Sequence, residues 1–355
     1  MTIRAGNPKE RQPVVIADTI NMSHGSGGKA MRELIDEIFV QTFDNDLLSE
    51  LEDQATIDLS QFYKSGDKLA FTTDSYVVDP IFFPGGDIGK LAINGTVNDL
   101  AVGGAKPLYL TCALIIEEGF PVKDLRTIIR SMKEAGDLCG IQVVAGDTKV
   151  VGRGQADKLF INTSGVGIIP NGVKLGAFQA EPGDAIIING TIGDHGAAIV
   201  GCRQDLALEN NIQSDCQPLN GLIESILNTG KKIRCMRDAT RGGVATVLNE
   251  FAQSGGYGIR IHESKVPIHS EVRGICEILG FDPLFLANEG KLVAIVRGED
   301  AQDVLACMLE HPSGKGSAII GEVTEQPKGK VVMATTFGGE RILDLLLTDQ
   351  LPRIC

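Results

Sequence analysis

Apolar positions along the chain switch between a spacing of two and a spacing of three or four, and the switches outline its elements. After a glycine-rich turn at His24-Gly25-Ser26-Gly27-Gly28-Lys29, residues Met31, Leu34, Ile35 and Ile38 share one helical face. Residues 68–78 read as a strand, with Leu69, Phe71 and Thr73 on one side and Asp74 in the middle. Pro84-Gly85-Gly86 breaks the chain, and Asp87 is placed to cap a helix running to about Val102, ended by Gly103-Gly104. A strand over 107–116 follows, then a helix opened by Asp124 with Leu125, Ile128, Ile129 and Met132 inward. A short strand over 142–145 is expected to end at Gly146-Asp147-Thr148-Lys149, and 159–169 is another strand.

The stretch 170–183 carries proline and glycine without periodicity and is the expected domain boundary. The pattern then restarts with a strand over 185–189 and a helix from about His195. Helical spacing recurs over 222–227, 240–253 and 301–309, with apolar strands near Ile259, Leu292 and Ile319. Both halves are mixed α/β, and no short repeat appears. A chain of 355 residues supports two domains rather than one core. Aromatics at 5% and the lack of Trp predict aliphatic cores.

A formal net charge of −13 argues against nucleic acid or an anionic membrane as main partner. It leaves a nucleotide open, since a bound cation can neutralise local carboxylates. Residues 1–15 lack an apolar signal core, and no apolar run reaches the roughly 20 residues of a spanning helix. A soluble, cytoplasmic protein is expected. Eight cysteines contain no C-x-x-C pair, which excludes a zinc ribbon or thioredoxin-like motif. Seven read as small buried hydrophobes, whereas Cys355 is the last residue.

Four aspartates stand beside strand ends, glycines or small polar residues: Asp74, Asp99, Asp147 and Asp238. Carboxylates at loop tips supply oxygen ligands for the magnesium of phosphoryl transfer, but each one alone reads more readily as a cap or Asx-turn. The turn at Gly25 to Lys29 offers backbone N–H groups and an ammonium to phosphates, yet it lacks the spacing of a Walker A or dinucleotide loop. His24 beside it reads as a surface residue. Lys149 and Glu289 read alone as solvated charges, although a lysine near phosphates stabilises developing charge and a glutamate removes protons. Pro352 favours an extended end to the chain, so a thiol at Cys355 would sit on a tail able to enter one site and leave for another.

Taken in order, these segments resemble the HypE hydrogenase maturation factors. The matching pieces are the His24–Lys29 turn, Thr72-Thr73-Asp74-Ser75 with Phe83-Pro84-Gly85-Gly86-Asp87, Gly95-Thr96-Val97-Asn98-Asp99, Ala145 to Lys149, Gly193-Asp194-His195-Gly196, Arg237-Asp238 to Gly243, Asn288-Glu289-Gly290, and Pro352-Arg353-Ile354-Cys355. The resemblance implies a two-domain α/β fold of α+β type, that of the aminoimidazole ribonucleotide synthetase (PurM-like) superfamily. It implies an N-terminal segment over 1–44, an ATP-binding and dimerisation domain over 45–170, a C-terminal domain over 171–345, and a mobile tail over 346–355. N-terminal domains of two chains would pair into a β-barrel.

The resemblance further implies ATP and Mg2+, with Asp74, Asp99 and Asp238 as metal ligands. Gly25, Ser26, Gly27, Gly28, Lys29, Asn98, Asp147 and Thr148 would hold ATP, and Cys355, Lys149 and Glu289 would be catalytic. The implied reaction is dehydration of a carbamoyl group, placed on Cys355 by the carbamoyltransferase HypF, to a thiocyanate. The cyanide would pass to iron on a HypC–HypD complex. The family usually has a proline where this chain has Ala239, which puts the geometry of that loop in question. Two other readings keep part of the pattern: a small-molecule kinase or ligase of the same superfamily, which gives Cys355 no role, and a non-catalytic maturation scaffold.

Overall fold

A computed structural model describes residues 17–26, 28–51, 54–62, 64–203, 211–346, 351 and 353–355. Its N-terminal half holds a four-stranded sheet in the order β1-β6-β4-β5, from β1 (Lys68–Tyr76), β4 (Lys106–Glu117), β5 (Gln142–Val151) and β6 (Leu159–Ile169). A two-stranded ribbon, β2 (Phe82–Phe83) with β3 (Gly86–Asp87), precedes the first long helix. Helices α2 (Ile88–Val102) and α3 (Val122–Cys139) cover one face of the sheet, after the short N-terminal helix α1 (Lys29–Leu34). The β4-α3-β5 unit is a parallel crossover, while β6 pairs antiparallel with β1 and β4.

The second half builds a seven-stranded sheet, β13-β12-β9-β11-β7-β10-β8. Its strands are β7 (Ala185–Ile188), β8 (Ile233–Asp238), β9 (Gly258–His262), β10 (Leu292–Val296), β11 (Ala318–Thr324), β12 (Val331–Ala334) and β13 (Glu340–Leu343). Strand alternation divides two cores across it. Ile186, Ile188, Val293 and Ile295 pack beneath α6 (Gly243–Gly255). Ile187, Leu292, Ala294 and Val296 pack beneath α5 (Asn220–Asn228) and α8 (Ala301–Glu310). Helices α4 (Asp194–Cys202) and α7 (Ser270–Leu279) pair beside this sheet around Ala197, Val200, Val272 and Ile275.

Helix α2 is buried almost all round, which requires a partner on each side. One face lies on the four-stranded sheet, and Ala101 and Val102 enter the core of the second half. Gly95 permits this approach, because a Cβ there would stand 2.3 Å from the Tyr76 hydroxyl. A buried polar chain seals the contact. Thr96 Oγ1 lies 2.5 Å from Thr163 Oγ1 and 3.3 Å from the Tyr76 hydroxyl.

Several boundaries differ from the sequence expectation. Strand β5 continues to Val151, so Asp147, Thr148 and Lys149 lie within a strand instead of after one, because β4 continues to pair with it through Glu117. Helix α3 starts at Val122, where Phe120 and Val122 are buried and Pro121 caps the first turn. Strands β8, β12 and β13 went unread, being short segments, and helix α7 was overlooked although Val272, Ile275, Cys276 and Leu279 keep helical spacing. No helix among the described residues is long and apolar enough to cross a membrane.

Gly95→Ala should destabilise the protein by about 1–3 kcal/mol, since the new methyl must push α2 away from Tyr76. Urea unfolding measures this, and an unchanged midpoint would contradict the packing described.

Candidate active site

Three elements bring carboxylates to one cleft between the two halves. Asp74 projects from the helix-covered face of β1, where its neighbour Thr72 donates through Oγ1 to Asp99 Oδ2 at 2.9 Å. Asp99 stands in the last turns of α2, and Asp238 ends β8 across the gap. A cavity of about 520 Å³ opens here, lined by Thr72, Asp99, Arg237, Asp238 and Arg241. Glu289 lies beside it, buried on the loop before β10.

Low dielectric and like charge act together on these groups. Burial first, then the charges of Asp99 and Asp74, push the Asp238 carboxyl up to about 7. Burial, and then Asp215, Asp238, Asp74 and Asp99, raise Glu289 well above the ordinary glutamate value. Burial and Asp74 likewise raise Asp99 against the hydrogen bond from Thr72. Glu289 Oε1 is buried without a hydrogen-bond partner. Such a group is a strong proton acceptor once ionised. Among the described residues, no three His, Cys, Asp or Glu side chains are already grouped to hold one metal ion.

The loops carrying Asp238 and Glu289 are stitched together. Asn288 Nδ2 donates to the Ala239 carbonyl at 2.8 Å, and its Oδ1 accepts the Gly193 N–H at 2.7 Å. Ala239 N–H donates to the Lys291 carbonyl at 2.9 Å. A proline at 239 has no N–H to give, so the alanine adds a main-chain bond at the position of the family's departure.

A second group gathers around β5, the edge strand. On the uncovered face of the sheet, Lys149 Nζ lies 2.7 Å from Asp147 Oδ1, and this contact holds the Asp147 carboxyl below its ordinary value. Thr148 points the other way and is buried. The glycine-rich turn crosses this strand so closely that a Cβ on Gly25 would meet Val150 at 2.8 Å. His24 is buried rather than exposed, because its Nδ1 accepts the Asn21 N–H at 3.0 Å and closes the turn. Ser26 donates back to the Ser23 carbonyl, Gly28 caps α1, and Lys29 is 89% exposed beside Glu33. Gly27 lies outside the described residues. A cavity of about 460 Å³ separates this segment from β5, with apolar walls of Ile35, Phe39 and Phe43 facing Gly146 and Asp147.

Thus Asp74 and Asp99 lie on the helix-covered side of the N-terminal sheet, with Asp238 and Glu289 brought from the second half, whereas Asp147 and Lys149 lie on its uncovered face. Lys149 and Glu289 do not face one another within a chain. Asn98 departs from the expected contact with ATP, because it is buried and both ends of its amide are occupied. Its Nδ2 donates to the Gln217 carbonyl at 3.1 Å and its Oδ1 accepts the Leu219 N–H at 2.7 Å.

The end of the chain is docked. Val77 N–H donates to a carboxyl oxygen of Cys355 at 3.1 Å and Asp79 N–H to the Arg353 carbonyl at 3.3 Å. Val77 is three residues beyond Asp74, about 10 Å along an extended chain. Ile354 is buried against Leu286 and Ala287, Cys355 is half-buried, and Arg353 pairs with Asp157. Pro352 lies outside the described residues. Sequence reading also missed Asp215, whose Oδ1 accepts the Glu289 N–H at 3.0 Å and whose other oxygen lies 3.3 Å from the buried Lys291 Nζ. Asp215 carries no motif, whereas Lys291 stands two residues after Glu289 and was within reach of the same reading.

The raised Asp238 group fixes a sign for the metal-free protein. Its folded value of about 7 exceeds that of an unfolded aspartate near 4, so the folded state holds the extra proton between them. Its contribution is complete below about pH 4 and is lost as pH rises through 7. Asp238→Asn should therefore raise stability at pH 8 by about 1–3 kcal/mol and leave it nearly unchanged at pH 4. Thermal melts with chelator across pH 4–8 check this.

Family models agree with this architecture. The AIR synthase related protein N-terminal domain matches residues 51–169, and the corresponding C-terminal domain matches 181–334. The carbamoyl dehydratase HypE of Rhodobacter capsulatus is 50% identical over 338 residues, 95% of this chain and 98% of the relative. A crystal structure of a hydrogenase maturation protein HypE in complex with ATP superposes with TM-score 0.89 at 46% identity, covering 94% of this chain and 99% of that one. A HypE–HypF complex contains a chain that superposes with TM-score 0.76 at 48% identity, covering 88% of this chain and 99% of that chain. With such likeness across nearly its whole length, the chain belongs to the AIR synthase related family and, within it, to the HypE carbamoyl dehydratases.

Proposed function

We propose that this protein dehydrates an S-carbamoyl group on its own Cys355 to a thiocyanate, at the expense of ATP, in hydrogenase maturation. The observation that carries the reading is the docked chain end. Cys355 lies at the exit of the strand that bears Asp74, beside a cleft holding Asp99, Asp238 and Glu289.

The chemistry divides into two balanced steps. The carbamoyl oxygen attacks the terminal phosphorus of ATP, releasing ADP and one of the two nitrogen-bound protons and leaving an O-phosphorylated thioimidate. Loss of phosphate with the second nitrogen-bound proton then gives the S–C≡N group. Glu289, raised by burial and neighbouring carboxylates, is the base for that proton. Closure of the cleft by the tail keeps water from the activated carbon.

Asp74, Asp99 and Asp238 would hold Mg2+. Their hard oxygens suit it, and its remaining ligands would be phosphate oxygens and water. The ion would neutralise charge on the phosphates during transfer. The turn at Gly25, Ser26, Gly28 and Lys29, with Asp147 and Thr148, would border the nucleotide, whose apolar base suits the cavity beneath Phe39.

Lys149 reaches this chemistry from a second copy. It lies on the uncovered face of the four-stranded sheet, where Leu69, Phe71 and Ile115 are also exposed. A homodimer joined through that face would bury the apolar side chains and bring Lys149 to stabilise the leaving oxygen across the junction. HypF would supply the carbamoyl group and a HypC–HypD complex would accept the cyanide, both in the cytoplasm, where ATP is available.

Incubation with carbamoyl donor, HypF and ATP should give a C-terminal peptide that has lost one water from carbamoylated Cys355, seen by mass spectrometry. A carbamoyl group that persists with ATP present would refute the reading. Asp74→Asn and Asp99→Asn should weaken Mg2+-dependent ATP binding, measured by calorimetry with and without the metal. Lys149→Ala and Glu289→Ala should each be inactive alone. Mixed after subunit exchange, they should recover about one quarter of the activity, since half of the dimers are mixed and each carries one intact site. No recovery would place Lys149 and Glu289 of one chain at the same centre.

A further inference from the structure

The docked chain end is held through its backbone as well as by the Arg353 side chain and the buried Ile354. Arg353 and Ile354 present successive carbonyls and Cys355 an oxygen of its carboxyl group, and each meets a donor. Asp79 N–H and Arg203 Nη2 serve Arg353 O at 3.3 and 3.2 Å, and Val77 N–H serves Cys355 O at 3.1 Å. The Ile354 carbonyl lies 2.7 Å from His195 Nε2.

His195 sits in the first turn of α4, and Arg203 follows the last residue of the same helix, so both ends of one helix grip the tail. The ring is fully buried, edge-on to Phe83 at 5.4 Å between centroids. Its hydrogen bonds fix its protonation. A carbonyl only accepts, so Nε2 carries hydrogen. Burial holds the imidazole below its ordinary value and favours the neutral ring, which leaves Nδ1 as an acceptor. Ser214 Oγ lies 2.8 Å from Nδ1 and accepts the Cys216 N–H at 3.1 Å, so its own hydrogen is available to Nδ1.

His195 joins Ser214 of its own domain to the chain end, giving its single N–H to the main-chain oxygen of Ile354. That choice suits a tail whose side chain changes chemistry. The Ile354 carbonyl is the same whether Cys355 carries a thiol, a carbamoyl group or a thiocyanate.

We propose that His195 is a latch, a positioning residue that holds the C-terminal tail docked through the Ile354 carbonyl, with Ser214 fixing its tautomer. The latch sets how readily Cys355 leaves the cleft for an outside partner. This extends the reading that Cys355 is modified in that cleft, and its first test does not depend on it.

Iodoacetamide labelling of Cys355, followed by mass spectrometry of the C-terminal peptide with neither ATP nor carbamoyl donor present, reports tail release. His195→Ala should label about tenfold faster than the parent, the effect of losing one buried hydrogen bond. His195→Gln, whose amide N–H reaches a similar point, should label within about twofold of the parent. Labelling of His195→Ala at the parent rate overturns the proposal. If that variant does not fold, Ser214→Ala keeps the ring but frees its tautomer. It should label about two- to threefold faster, and a parent rate there overturns the proposal equally. With HypF, carbamoyl donor and ATP, His195→Ala should be carbamoylated at least as fast as the parent and dehydrated about tenfold more slowly. Equal slowing of both steps would mark a merely structural role and overturn the latch. Failure of dehydration in the parent would count against the function, leaving the labelling result intact.

Discussion

One buried amide fixes how the two halves of this protein meet. Asn98 is fastened at both ends to the segment 217–219 of the second half, and the next residue on the same helix is Asp99. Successive helical residues point about 100° apart, so one side chain faces the second half while the next faces the cleft. Tilting α2 would move the bridge and the carboxylate together. An amide left unpaired in that dry interface would cost about 1–3 kcal/mol, which makes the arrangement stiff.

That stiffness has an electrostatic consequence. Asp74, Asp99, Asp238 and Glu289 come from a strand, a helix, a strand end and a loop, and none can retreat far from the others. Their shared burial raises the proton affinity of the deepest members, a cost that the fold maintains. Such strain is relieved by protons, by a cation, or by a ligand that brings a cation with it. Asp215, paired with the buried Lys291, adds to the raising of Glu289. The cleft therefore favours protons and cations over a free anion.

The chain end and the N-terminal sheet divide the remaining tasks. The tail lies along the exit of β1, on the side of the carboxylates, and donors from both halves grip its backbone. Asp147 and Lys149 occupy the other face of the same sheet, together with exposed Leu69, Phe71 and Ile115. The same alternation along β5 that buries Thr148 turns Asp147 and Lys149 onto this bare, partly apolar face.

Local pattern was enough for much of this. Periodicity and capping residues marked β1, α2, β4, β6 and β7 because these elements carry long apolar faces or clear stops, as Asp87 does through its bonds to Gly89 N–H and Lys90 N–H. The glycine-flanked acidic motifs and the terminal cysteine pointed to phosphoryl chemistry and to the family. Strands β8 and β12 escaped although β7 is as short; in β8, Arg234 and Arg237 interrupt the apolar run. Which motif residues share a site was beyond sequence, because Asp147 and Lys149 are separated from Asp74 by the two faces of a sheet, not by distance along the chain. Asp215, His195 and Ser214 acquire their roles only from partners that the fold brings to them from remote positions. The sequence by itself determined the elements and the chemical vocabulary, for these depend on neighbours a few residues away. The tertiary structure alone decided that Asn98 bridges, that Glu289 is buried and raised, and that the last residues dock, because burial and charge proximity are properties of the packed chain.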